Sequence, residues 1–258
     1  MIGPQRFAGQ RALVTGGSRG IGAAIGRRLA ADGAAVAVNY VADEKSAKAL
    51  VDELRERGHE ASAFRADVSD FGQAHDLVER VVAEFGGLDV VASSAGVEHF
   101  GALELLTQAD FDRVFHTNVA GQLFVTQAAA AAMRSGGRIL LMSSISARIA
   151  VYQHTLYAAS KAAVSAMVLN LAPELADRGI GINALAPGGT ATDMAAEVGA
   201  NYTPRALRDV PDDAVLKSMN ALGRYAEPDE IASIATFLLS SDASYITGAT
   251  IDAAGGWL

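Results

Sequence analysis

Residues 11–33 read RALVTGGSRGIGAAIGRRLAADG. A short apolar run, RALVT (11–15), gives way to a glycine cluster. Helical spacing of apolar residues follows and stops at a glycine. This is a buried strand feeding a helix through a loop that must turn tightly. Gly16, Gly20 and Gly22 form a G-x-x-x-G-x-G spacing, with Ser18, Arg19 and Ile21 between them. Glycine lets the backbone take positive φ and approach a ligand closely. The helix start aims free N–H groups at the loop, which suits a pyrophosphate. A strand–helix turn with no ligand has the same composition. Its position after the first strand of an alternating pattern favours the ligand.

That pattern runs through the chain. AAVAVNY (34–40), ASAFRADV (61–68), LDVVASSAG (88–96), GGRILLMSS (136–144), GIGINALAPGG (179–189) and ATIDAAGG (249–256) read as strands. Helical stretches fall between them at 43–58, 70–85, about 109–134, about 155–178 and 227–242. Residues 190–220 look irregular, with short helices expected in TPRALRD and PDDAVLKSM. Such alternation predicts a single α/β domain over residues 1–258: a doubly wound, mostly parallel, seven-stranded Rossmann-type sheet with helices on both faces. A small substrate lid is expected at about 190–222.

Composition narrows the function. The 258 residues are half hydrophobic, carry a net charge of -8 and include no cysteine. No basic block is present, so nucleic acid is not an expected partner. Disulfide and thiolate chemistry are excluded, and no metal site is expected. No apolar run approaches the roughly 20 residues that span a bilayer. The N-terminal stretch lacks a secretory pattern, so a cytoplasmic, non-membrane protein is expected.

Charge also bears on the cofactor. An acidic residue closing the second strand would bind the 2′-hydroxyl of NAD and repel a 2′-phosphate. Here that strand ends Asn39-Tyr40-Val41, with no carboxylate until Asp43. Arg19, inside the glycine loop, can pair with a phosphate. NADP(H) is therefore the expected cofactor. Asp67 and Val68, closing the third strand, can meet the adenine, with an N-cap role for Asp67 as the rival reading.

The chemistry is expected in SSISARIAVYQHTLYAASK (143–161). Tyr157 and Lys161 stand one helical turn apart and share a face. Reduction of a ketone needs hydride on carbon and a proton on oxygen. A nearby ammonium is expected to lower the phenol's pKa and make Tyr157 a better acid. Ser144, at the carboxyl end of its strand, can stabilise charge on the substrate oxygen. Asn118, mid-helix, can bond a backbone carbonyl, kink the helix and hold a water beside the lysine.

These segments, with ADVSD (66–70), SSAG (93–96), NVAG (118–121), NALAPGGTATDM (183–194) and ITGATIDAAGG (246–256), resemble the short-chain dehydrogenase/reductase family over nearly the whole length. The resemblance implies a catalytic tetrad of Asn118, Ser144, Tyr157 and Lys161, with Lys161 also reaching the nicotinamide ribose. It further implies that Pro187, Gly188, Thr190 and Thr192 line the nicotinamide site. Ser93, Ala95 and Gly96 would lie on the adenosine side. The chain departs from the family at Ser93-Ser94, where asparagines usually hold the central strands. Within the family it is similar to NADPH-dependent ketoreductases, both 3-oxoacyl-acyl carrier protein reductases and fungal polyhydroxynaphthalene reductases.

SSAGVEHFGALELLTQADFDRVFHTN (93–118) and the long segment after TDM favour the second group, with a bulky cyclic or aromatic polyketide-like ketone as substrate. Tyr202 would cover that ring, and Ile145 and Met194 would help wall it. Phe100, Tyr152 and Trp257 are further candidate walls. The alternatives are a carrier-bound 3-oxoacyl substrate, an alcohol or sugar oxidised in the reverse direction, and a catalytically silent dinucleotide-binding regulator. The resemblance also implies a homotetramer built through the two long helices, where AAAAAM (128–133) permits close contact.

Overall fold

The computed structural model describes residues 5–207 and 209–257. The first four residues of the N-terminal stretch, and residue 208 within the expected helix TPRALRD, lie outside them. Seven strands form one sheet, all of them parallel: β1 (Arg11–Thr15), β2 (Ala35–Tyr40), β3 (Ala61–Arg65), β4 (Val90–Ser93), β5 (Arg138–Met142), β6 (Gly181–Pro187) and β7 (Thr250–Ala253), in the order β3-β2-β1-β4-β5-β6-β7. The inner strands are apolar on both faces because helices cover both, which removes the alternation a half-exposed strand would show. The order reverses at β1, between β2 and β4, and this opens a crevice at the carboxyl ends of the strands.

Two apolar layers flank the sheet. On one face lie α1 (Gly20–Ala31), α2 (Glu44–Glu56) and α9 (Pro228–Leu239), packed through residues such as Ile25, Leu29, Leu50 and Leu238. The other face holds α3 (Phe71–Phe85), α5 (Gly121–Ala132) and α6 (Thr155–Ala176), packed through Leu77, Val125, Val164 and Val168. Aspartates cap two helix starts, and Asp67 is not one of them. Asp43 accepts from the Ser46 amide at 3.0 Å and Asp70 from the Gln73 amide at 2.8 Å. Each such cap supplies an acceptor to an amide that has no partner inside the helix.

The helix expected across 109–134 is interrupted. α4 (Gln108–Phe115) passes into a π-helical turn over His116–Ala120 and then into α5. Asn118 sits in that turn, fully buried, so the expected mid-helix distortion is present. β3 ends at Arg65, three residues before the expected boundary. The segment beyond β6 is more helical than the sequence suggests. It holds α7 (Asp193–Val198), a 3₁₀ turn over Gly199–Tyr202, another over Arg205–Leu207, and α8 (Asp212–Met219).

Candidate active site

Gly16 has φ +59°, and a Cβ there would stand 2.8 Å from the Ala95 Cα. Only glycine allows the loop after β1 to lie against the loop after β4. The two loops border a cavity of about 900 Å³ at the carboxyl edge of the sheet. Its wall includes Gly16, Ser18, Arg19, Gly20, Ile21 and Gly22 from the first loop, with Ala95 and Gly96 from the second. Ser144, Ile145, Tyr157 and Lys161 line the middle. Pro187, Gly188, Thr190 and Thr192 follow β6, and Met194, Tyr202 and Trp257 close the far side.

Five of the expected cofactor residues lie outside this wall. The buried Asn39 amide donates to the carbonyls of Phe64 (3.2 Å) and Ala66 (3.0 Å), and its oxygen accepts from the Gly16 amide at 3.4 Å. It ties the glycine loop to β3. Tyr40 and Val68 are core residues, and Asp67 is occupied by the amide and hydroxyl of Ser69. Ser93 Oγ lies 3.4 Å from Thr15 Oγ1, which also accepts from the Ala95 amide at 3.2 Å. Thr15 thus links β1 to β4 where the family's asparagines are missing. Of the further wall candidates, Phe100 stacks on His154 instead, with ring centroids 4.3 Å apart. Tyr152 is half exposed beneath the Arg205 guanidinium, 3.7 Å from its ring centre.

Lys161 is buried and fixed from several sides. Its ammonium donates to the Met142 carbonyl at 2.9 Å, and its own carbonyl accepts from Ser143 Oγ at 2.9 Å. Gln122 bridges back to the π-turn. It donates to the carbonyls of Asn118 (2.7 Å) and Met142 (3.2 Å) and accepts from the Met142 amide at 2.7 Å. Asn118 Nδ2 donates to Ser160 Oγ at 3.0 Å, and Ser160 donates to the Tyr157 carbonyl at 2.7 Å. Asn118, Tyr157 and Lys161 are therefore joined through Gln122, Met142 and Ser160, and the Ser144 hydroxyl lines the same cavity.

The electrostatics correct the sequence expectation. Burial raises the Tyr157 pKa, the Glu98 charge raises it further, and only the neighbouring Ser144 hydroxyl opposes them. The expected lowering by Lys161 does not decide the outcome. The ammonium stands 5.4 Å from the centre of the tyrosine ring, and burial lowers its own pKa to about 8, opposed by Glu98. A phenol so placed holds its proton throughout the neutral range. An alkoxide is a far stronger base than a phenolate, so a weak phenolic acid still protonates one. Its placement suits donation better than abstraction.

Sequence reasoning missed Glu98 and His154. His154 Nε2 lies 2.6 Å from Glu98 Oε1, and the imidazole stacks on the Tyr157 ring with centroids 4.7 Å apart. Tyr202 donates from its hydroxyl to Glu98 Oε2 at 2.8 Å. Burial, with the adjacent Glu98 carboxylate, keeps the Tyr202 phenol protonated. Glu98 and His154 are 56 positions apart, so no local spacing announces them. A polar His154 three residues before Tyr157 is the one available signal.

A pair of hydroxyls, Ser144 buried and Tyr157 half-buried, beside a buried ammonium at the switch point of a parallel sheet defines an α/β oxidoreductase site. The chain belongs to the short-chain dehydrogenase/reductase family: the family model described as enoyl-(acyl carrier protein) reductase matches residues 16–258. It is 40% identical to the hydroxynaphthalene reductase-like protein Arp2 of Metarhizium majus, over 98% of this chain and 96% of that one. It is 41% identical to a probable tetrahydroxynaphthalene reductase of Zymoseptoria tritici, over 97% and 95% respectively. A short chain dehydrogenase from Burkholderia cenocepacia, crystallised in complex with NADP, superimposes with a TM-score of 0.88 at 40% identity, covering 97% of this chain and 98% of that one. Among the described residues, no helix is long and apolar enough to cross a membrane.

Proposed function

We propose that this chain is an NADPH-dependent carbonyl reductase acting on a bulky cyclic or aromatic polyketide-like ketone. The observation that carries the reading is the half-buried Tyr157 phenol, lining one cavity with the Ser144 hydroxyl and the Lys161 ammonium. The complex of the Burkholderia relative with NADP supports the cofactor, and so does the glycine cradle, which a single Cβ at Gly16 would obstruct. Gly16 to Gly22, Ala95, Gly96 and Pro187 to Thr192 are the residues that would hold the dinucleotide, with Arg19 meeting a 2′-phosphate. When bound, the reduced nicotinamide supplies the hydride.

The chain's own residues do the rest. Ser144 donates a hydrogen bond to the carbonyl oxygen of the ketone. Tyr157 gives its proton to the same oxygen, and the Lys161 charge stabilises the phenolate left behind. Asn118 keeps the π-turn against the start of α6, so that Tyr157 and Lys161 stay in register. Residues 190–222 act as a lid that brings Met194 and Tyr202 over the substrate.

The apolar reach of Ile145, Met194, Tyr202 and Trp257 favours a ring over a thioester chain. Arg148 and Arg205, two cationic side chains that could meet an acidic carrier protein, are engaged elsewhere: Arg148 pairs with Asp252 at 2.5 Å, and Arg205 caps Tyr152. Exposed Phe111 on α4, Leu123 on α5 and Leu169 on α6 support assembly through these helices into a homotetramer.

A turnover screen tests the substrate. NADPH absorbance is followed with hydroxylated naphthalenones or tetralones, cyclic diketones and short 3-oxoacyl thioesters. Activity on the bicyclic ketones is expected. Activity confined to the thioesters overturns the ranking.

A further inference from the structure

Glu98 places a carboxylate in the wall of the cavity that holds Ser144 and Tyr157, with its side chain only 8% exposed. A carboxylate buried to this extent needs hydrogen-bond donors. Oε1 has two, His154 Nε2 at 2.6 Å and the His99 amide at 3.0 Å. Oε2 takes the Tyr202 hydroxyl at 2.8 Å, and each carboxylate oxygen can accept about two hydrogen bonds. One acceptor position on Oε2 is therefore left over.

The donors are committed in turn. An ionised carboxylate only accepts, so His154 carries its hydrogen on Nε2 and Tyr202 points its hydrogen at Glu98. The Tyr202 oxygen also lies 3.3 Å from His154 Nε2, and what it has left for a ligand is acceptor capacity alone. The cavity thus has two chemically different parts. Tyr157, Ser144 and Lys161 offer donors and positive charge. Glu98 and Tyr202 offer acceptors and negative charge. The first part suits a carbonyl oxygen; the second suits a hydroxyl and opposes an anion.

We propose that Glu98 is a specificity-determining residue: its carboxylate accepts a hydrogen bond from a hydroxyl carried by the ketone substrate and turns away ketones that carry a carboxylate. His154 is the positioning residue that fixes the acceptor geometry, held between the rings of Phe100 and Tyr157. The inference rests on the carbonyl-reductase reading above and adds to it the polarity of the substrate's far end.

Three ketones on one scaffold test it: 2-tetralone, a ring-hydroxylated 2-tetralone and a ring-carboxylated 2-tetralone. Each is measured by NADPH-dependent turnover and, separately, by calorimetric binding to the protein without dinucleotide. In the natural protein, the hydroxylated ketone is expected to exceed the parent by about tenfold or more in kcat/KM and in affinity, and the carboxylated one to fall about tenfold or more below it. In Glu98→Gln, the hydroxylated-to-parent ratio is expected to fall about tenfold and the carboxylated-to-parent ratio to rise about tenfold, in both measurements. Ratios within about twofold of the natural protein's would overturn the role of Glu98 while leaving the reductase reading intact. Should the variant fail to fold, the ranking in the natural protein decides: equal values for the three ketones overturn the proposal. Binding of all three with turnover of none would count against the reductase reading, and so would remove the ground on which the inference stands.

Discussion

Asn118 and Val97 hold each other by two hydrogen bonds. The Val97 amide donates to Asn118 Oδ1 at 2.8 Å, and Asn118 Nδ2 donates to the Val97 carbonyl at 3.0 Å. The side chain acts as a one-residue strand partner for the loop after β4. The π-turn is what sets it there, because a regular helix would rotate Asn118 away from that loop.

Replacing this asparagine by leucine keeps the volume and removes every bond. Asn118→Leu leaves the Val97 amide and carbonyl without these partners and takes the Nδ2 donor from Ser160. A loss of about 2–4 kcal/mol in unfolding free energy is expected, with a matching fall in the urea midpoint. A midpoint equal to that of the natural protein would show that the pair contributes nothing to the fold.

Lys161 is expected to trade stability for chemistry. Its pKa is lowered from 10.5 to about 8 by burial, so at neutral pH the fold carries a buried ammonium at a cost. Lys161→Met is expected to be more stable than the natural protein by roughly 1–3 kcal/mol near ~pH 7, yet without turnover. Between about 8 and 10.5 the unfolded chain binds a proton that the native lysine has shed, so this contribution to stability rises with pH. The advantage of the methionine variant should shrink across that window, and the natural protein's turnover should fall above about 8. Thermal melts at several pH values check the first trend and rate profiles the second. A variant that is less stable at neutral pH contradicts the cost assigned to burial.

Arg19 borders the cavity with its side chain 57% exposed and 3.7 Å from Asp193. Arg19→Ala is expected to weaken NADPH binding by about 10–100-fold and NADH binding by less than about threefold. Fluorescence titration of both dinucleotides reads the difference. Equal losses would remove the 2′-phosphate from the account of cofactor choice.

At Gly16 the constraint is steric. Gly16→Ala puts a Cβ 2.8 Å from the Ala95 Cα in a residue at φ +59°. A loss of about 2–4 kcal/mol is expected, with dinucleotide affinity falling in parallel because both loops border the same cavity. Wild-type affinity in a variant of unchanged stability would contradict the close approach of the two loops.

The sheet was legible because its inner strands are buried on both faces and read as unbroken apolar runs such as LVT and VAV. The glycine loop was legible because positive φ at Gly16 and Gly20 demands one residue type. α7 escaped notice, as DMAAEV is short, has no buried stripe and is announced only by Thr192 capping the Ala195 amide. The π-turn has no residue code of its own beyond the oddity of Asn118 inside a helix. Asn39 differs in another way: its oxygen reaches the Gly16 amide of the glycine loop, but its amide is consumed by the carbonyls of Phe64 and Ala66. The sign of the Tyr157 shift was likewise beyond local reading, because it depends on Glu98 and on burial, which only the assembled fold reveals.

The most direct test is Tyr157→Phe, which deletes one oxygen from a fully formed cavity. Because the dinucleotide loops are untouched, NADPH should bind with a Kd within about twofold of the natural protein's, while turnover falls by about three orders of magnitude or more. Retention of turnover with any ketone that the natural protein reduces would contradict Tyr157 as the proton donor, and the mechanism built on it.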